Sequence, residues 1–138
     1  MMGWREWLAL PELGIEQVKC KVDTGARTSA LHAFEIEPDS AAKLVRFKVA
    51  PLQHRADVVV ACEAAIVDQR TITDSGAHRE KRIVISSMAV MGEQQWPIEI
   101  TLTNRKDMRF RMLLGRSGIS RQFTVDPARS YMIGKRRR

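Results

Sequence analysis

Apolar residues recur at every second position in one short run after another, so the chain must build strands that each turn one face to a core. Val18, Cys20 and Val22 alternate with Gln17, Lys19 and Lys21, and Val45, Phe47 and Val49 with Arg46 and Lys48. Trp96, Ile98, Ile100 and Leu102 alternate with Pro97, Glu99, Thr101 and Thr103; Phe110, Met112 and Leu114 alternate with Arg109, Arg111 and Leu113. Asp57 to Cys62 reads as a continuous apolar strand buried on both sides, and Ile83 and Ile85 open another that runs on to Met91. Gly, Pro and Asp punctuate these runs, which predicts an all-β barrel or sandwich. Helix is sparse: only Ala26 to Phe34 and Ser117 to Gln122 read as short helical turns. Residues Asp68 to Arg82 read as a polar hairpin with Asp74-Ser75-Gly76 at its tip.

The strand ending at Val22 delivers Asp23-Thr24-Gly25-Ala26. That order places one carboxylate, one hydroxyl and a glycine on a tight loop at a strand end. Aspartic peptidases need this arrangement, because the glycine lacks the Cβ that would obstruct a close approach and the hydroxyl can brace the loop. An ordinary turn uses the same three residue types. A second segment, Met112-Leu113-Leu114-Gly115-Arg116, ends an apolar run in Gly-Arg far downstream, at a separation that suits one compact barrel.

These segments resemble a known family. Val22-Asp23-Thr24-Gly25-Ala26-Arg27-Thr28-Ser29-Ala30-Leu31-His32-Ala33 is similar to the signature of the bacterial retropepsin-like family labelled ATP-dependent zinc protease. Trp4-Arg5-Glu6-Trp7, Leu10-Pro11-Glu12-Leu13, Leu102-Thr103-Asn104-Arg105 and Met112 to Arg116 match it as well, so the resemblance covers nearly the whole chain. It implies a closed retropepsin-like β-barrel with one or two short helices, formed by residues 1–134 as a single domain. It also implies an association with ATP-grasp ligases that add glutamate to proteins. By the same analogy the polar hairpin is a flap over substrate, and Gly115 lets its apolar segment pack behind the Asp23 loop. Ala26 and His32 are expected to support that loop.

Aspartic catalysis needs two carboxylates within a few ångström that share one proton. Asp126 lacks the following Thr-Gly and reads as a turn initiator before Pro127. The peptidase reading therefore requires a homodimer in which Asp23, Thr24 and Gly25 of each copy meet at a two-fold axis. Arg27 departs from the retropepsin pattern, which carries an aspartate there to pair with the arginine matching Arg116. Two readings stay open: Arg27 and Arg116 grip a carboxylate of an acidic peptide or protein substrate, or Arg27 pairs with Glu35 or Glu37. The alternative to an enzyme is a non-catalytic module that binds acidic peptides or regulates a protein glutamate ligase.

Composition narrows the field further. Formal charge is +7 over 138 residues, but from Asn104 onward 11 Lys/Arg face only Asp107 and Asp126, a local excess of +9. Residues 135–138 are expected to form a solvated basic tail. Aromatic residues are too few for a base-stacking platform. No apolar run reaches membrane-spanning length and no signal-peptide core follows Met1, which predicts a cytoplasmic protein without a membrane partner. In that compartment Cys20 and Cys62 are expected as buried free thiols. His32, His54 and His78 show no zinc-ligand spacing, and no phosphate-binding glycine loop is present, so neither a metal nor another cofactor is expected.

Overall fold

A computed structural model describes residues 2–52, 58–73, 76, 79–104, 110–119 and 125–130. Among them are ten strands: β1 (Met2–Leu10), β2 (Ile15–Val22), β3 (Ser29–His32), β4 (Phe34–Asp39), β5 (Leu44–Val49), β6 (Val60–Thr73), β7 (Arg79–Met91), β8 (Gln94–Thr103), β9 (Met112–Leu114) and β10 (Val125–Ser130). They pair in the order β10-β1-β2-β9-β3-β8-β7-β6-β5-β4. A further pairing, Ala9 with Val90, joins β1 to β7. The run from β1 through β2, β9, β3 and β8 to β7 thus returns on itself as a closed ring. The expected closed all-β barrel is what forms. Helix among the described residues is limited to two 3-10 turns, Pro11–Leu13 and Arg116–Gly118, the second overlapping the expected turn from Ser117.

One apolar core serves the whole sheet. Leu8, Leu10, Val18, Cys20, Leu31, Ile85, Ile98, Ile100, Met112 and Leu114 come from the ring, while Val45, Phe47, Val49 and Cys62 come from β5 and β6. Both cysteines are free and buried. β2 and β5 follow the expected alternation, with Val18, Cys20, Val22, Val45, Phe47 and Val49 all turned inward. No helix among the described residues is long and apolar enough to cross a membrane.

The structure corrects four expectations. Ala26 to Phe34 is not helical: Ser29–His32 is a strand hydrogen-bonded on both edges, to β8 and to β9. The stretch up to Cys62 is not buried on both sides, since Val59 is 45% exposed and Ala61 faces solvent. β6 continues far past it, because its partner strands β5 and β7 carry the pairing on to Thr73. Asp126 does not open a turn; it lies in β10, paired in parallel with Gly3 of β1. The polar hairpin is formed by the ends of β6 and β7, with Thr73 opposite Arg79. Asp57, Asp74, Ser75, His54, His78, Gln122 and the 135–138 tail lie outside the described residues.

Candidate active site

β2 and β3 are consecutive in the chain yet do not pair; β9 lies between them, parallel to β2 and antiparallel to β3. The connection from Val22 to Ser29 therefore has to arch over the end of β9, and it carries the Asp-Thr-Gly segment. Main-chain bonds tie it down. Asp23 N–H donates to Leu114 O (2.9 Å), Arg116 N–H to Ala26 O (2.8 Å) and Ser117 N–H to Arg27 O (3.1 Å). Ala26 N–H closes the turn on Asp23 O at 3.2 Å.

Within the turn, Gly25 N–H donates to Asp23 Oδ1 at 3.0 Å. A Cβ at Gly25 would stand 3.3 Å from that same oxygen, a tight contact that the carboxylate would have to give way to admit. Asp23 itself is half-buried, with Thr24 and Gly25 exposed beside it. Gly115 is under a harder constraint. A Cβ there would collide with the Thr28 carbonyl oxygen, stand 2.5 Å from its carbon and lie 3.0 Å from Ala26 O. The Gly-Arg segment packs flush behind the aspartate loop only because position 115 has no side chain.

Sequence reasoning gave no role to the residue that braces this contact. Ser29 is fully buried, and its Oγ accepts the Gly115 N–H at 3.1 Å. Its carbonyl accepts the hydroxyl of Thr101, from β8, at 2.9 Å. A Cβ on Gly118 would lie 2.6 Å from Ser29 Oγ, so the 3-10 turn after Arg116 is also fitted around this hydroxyl. Trp96 Nε1 secures that turn by donating to Gly118 O at 2.7 Å. The only available signal was a small polar residue directly ahead of Ala30 and Leu31.

The remaining expected residues fall in different places. Thr24, expected to brace the loop, points to solvent and takes no partner among the described residues; Ser29 does that work within the chain. His32 is buried at the far end of β3, where its main-chain N–H donates to Arg111 O at 2.8 Å. Ala26 contributes through its backbone. Arg27 and Arg116 flank the loop, both exposed. Neither guanidinium forms an ion pair among the described residues, and Glu35, one candidate partner of Arg27, is taken by Lys48 at 2.5 Å. No three His, Cys, Asp or Glu side chains converge among the described residues, so these residues do not fit a zinc site.

The chain matches the family model described as retropepsin-like aspartic endopeptidase RimB over residues 1–136. It is 41% identical over 138 residues to a probable alpha-L-glutamate ligase of Shewanella pealeana, and 43% identical over 136 residues to one of Parasynechococcus marenigrum. Those matches take in 99% and 97% of this chain but only 30% and 29% of the relatives. A Legionella pneumophila crystal structure of unknown function superposes with a TM-score of 0.79 at 28% identity, covering 96% of each chain. The closed ring, the strand inserted beneath the Asp-Thr-Gly loop and the full-length family match agree: this chain belongs to the RimB-like family of retropepsin-like aspartic endopeptidases.

Proposed function

We propose that the protein is an aspartic endopeptidase whose catalytic pair consists of Asp23 from each of two copies. The observation that carries this reading is the Asp23 carboxylate, half-buried and held by the Gly25 N–H on a loop pinned to the end of β9. A single copy supplies one such carboxylate, so the two-fold assembly supplies the second. In the pair one Asp23 is ionised and takes a proton from water, while its protonated partner donates a hydrogen bond to the scissile carbonyl. The resulting hydroxide adds to the carbonyl carbon; the tetrahedral intermediate then expels the amine, which takes up a proton. Exposed Thr24 lies next to this pair and is free to bond across the two-fold axis. Arg27 and Arg116, both exposed and neither ion-paired among the described residues, suit an acidic peptide or protein tail through forked bonds to its carboxylates.

The name shared by the longer relatives favours a second reading, in which this fold serves a glutamate ligase as a binding or regulatory module for acidic tails. Cleavage of glutamate-rich peptides by wild type and Asp23→Asn, from acidic to neutral pH, separates the two. The peptidase reading expects a loss on the order of a thousandfold in kcat. Undiminished cleavage by Asp23→Asn, or a strictly monomeric active species in sedimentation, overturns it. Arg27→Ala is expected to slow cleavage of acidic peptides at least tenfold relative to neutral ones; an equal effect on both removes the carboxylate grip.

A further inference from the structure

The end of the β6–β7 hairpin nearest its turn is connected to the Asp23 loop by a row of hydrogen bonds that runs through side chains and passes through Ser29 by way of its carbonyl and its hydroxyl. Glu80, the second residue of β7, accepts the Thr103 hydroxyl at 3.1 Å and the Arg82 Nε–H at 3.0 Å. Arg82 Nη1 donates onward to Thr101 Oγ1 at 3.4 Å, and Thr101 donates to Ser29 O at 2.9 Å. Ser29 Oγ then accepts Gly115 N–H, between the two residues whose main chains hold Asp23 and Ala26. Three strands, β7, β8 and β3, are joined in this way to the segment leaving β9 and so to the loop.

The burial of this row is unusual for its composition. Arg82 is 8% exposed, Thr101 and Thr103 each 1%, and Ser29 not at all, while Glu80 at the hairpin end keeps 33% of its side chain open to solvent. A guanidinium in such a position is costly unless its charge is matched, and Glu80 matches it. Polar groups sealed from water hold a narrower geometry than an apolar filling would, since each must keep its partner or lose it outright. The alternation on β8 would be satisfied by any polar residue at 101 and 103, yet these two hydroxyls are turned into the row rather than to solvent.

We infer that Thr101 and Arg82 are positioning residues which couple the turn-proximal end of the β6–β7 hairpin to the Asp23 loop. Displacement of Glu80 by whatever engages the hairpin shifts Arg82, releases the Thr101 hydroxyl and loosens Ser29 against Gly115. In its consequence for turnover the inference rests on the peptidase reading; in its consequence for loop order it does not.

Thr101→Val tests it, because it keeps the shape and removes only the hydroxyl. Amide hydrogen exchange at Asp23, Gly115 and Arg116 is expected to quicken at least tenfold in the full chain, and Thr101→Ser to restore the wild-type rates. Arg82→Met should produce the same pattern from a position two strands away from the loop. Where cleavage of a neutral peptide, which does not call on Arg27 and Arg116, is measurable, kcat should fall about tenfold with KM within twofold, since the Asp23 carboxylate is what is loosened. Exchange at the three amides unchanged in both Thr101→Val and Arg82→Met overturns the coupling. So does acceleration spread evenly over β2, β5 and β8, which marks a general loss of stability. Active Asp23→Asn would remove the peptidase reading and leave the exchange result to decide the coupling alone.

Discussion

β3 and β5 are both short strands of the same sheet, and they are built on opposite terms. β3, Ser29–His32, is buried at every position, with hydrogen-bonded neighbours along both edges. β5, Leu44–Val49, alternates: Val45, Phe47 and Val49 enter the core, while Arg46 and Lys48 face solvent. A strand that merely covers a core needs one committed face. A strand that must also hold a loop in register commits the other face as well, here through the Ser29 hydroxyl and carbonyl. What distinguishes the candidate site from the rest of the sheet is this second layer of constraint, set by small and polar groups rather than by bulk.

The comparison breaks if β5 contributes little to stability, so its inner face is the first place to press. Phe47 is 2% exposed and packs into the shared core. Phe47→Ala is expected to cost about 3–5 kcal/mol in urea unfolding through lost transfer energy and the cavity left behind. A cost below about 1 kcal/mol would mean that β4, β5 and β6 are an ornament on the ring. Gly115→Ala comes next, at about 2–3 kcal/mol, because the added methyl meets backbone carbonyls that have nowhere to move. Its particular mark should be loss of the main-chain bonds at Asp23 and Arg116, seen as faster exchange there, while β5 and β6 stay protected.

These two strands also show why part of the molecule was legible in advance. Val45, Phe47 and Val49 carry the period of two because one face of β5 meets water, and the same holds for Val18, Cys20 and Val22 on β2. Burial on both faces erases that period. Ser29-Ala30-Leu31-His32 therefore read as a helical turn, and only its pairing with β8 and β9 makes it a strand. Asp23, Gly25 and Gly115 were visible because turn chemistry and close approach leave their own residue types behind. Ser29, Thr101 and Arg82 were not, since a serine in a presumed turn, a threonine on the polar side of an alternating strand and an arginine at the end of a polar hairpin all look solvent-facing until the fold covers them. Asp126 was misread for a related reason: Asp before Pro suits a turn, but an outer strand accepts proline as well.

The cysteines extend the comparison to pH. Cys20, on β2 within the ring, is wholly buried, and desolvation raises its thiol pKa to about 12. Cys62, on β6, is pushed up to about 11 by the same cause. Both native pKa values lie above the ordinary 9.0, so between 9.0 and those values the unfolded chain loses protons that the folded chain keeps. Stability must then fall as pH rises through that window, by up to about 1.4 kcal/mol per pH unit for Cys20. Urea midpoints measured from pH 8.5 to about 10.5 should drop in wild type and drop less steeply in Cys20→Ala. Alkylation of the native protein should reach Cys62 before Cys20; the reverse order would place the looser packing inside the ring.

The smallest effect belongs to the outer face of β5, and its smallness is the point. Lys48 bonds Glu35, which raises the lysine pKa above 10.5, and Arg46 lies 3.9 Å from Glu63 with 76% of its side chain exposed. Because the lysine is favoured in its charged form, whatever the pair contributes is present below about pH 10.5 and fades as pH rises beyond it. Solvent screening and side-chain entropy consume most of that contribution. Lys48→Met and Arg46→Met are therefore expected to leave the urea midpoint at neutral pH unchanged within error, alone and together. Arg82→Met, which removes a guanidinium of the same kind from the buried row across the sheet, should lower it clearly. Equal responses at the three positions would erase the distinction between a covering strand and an anchoring one.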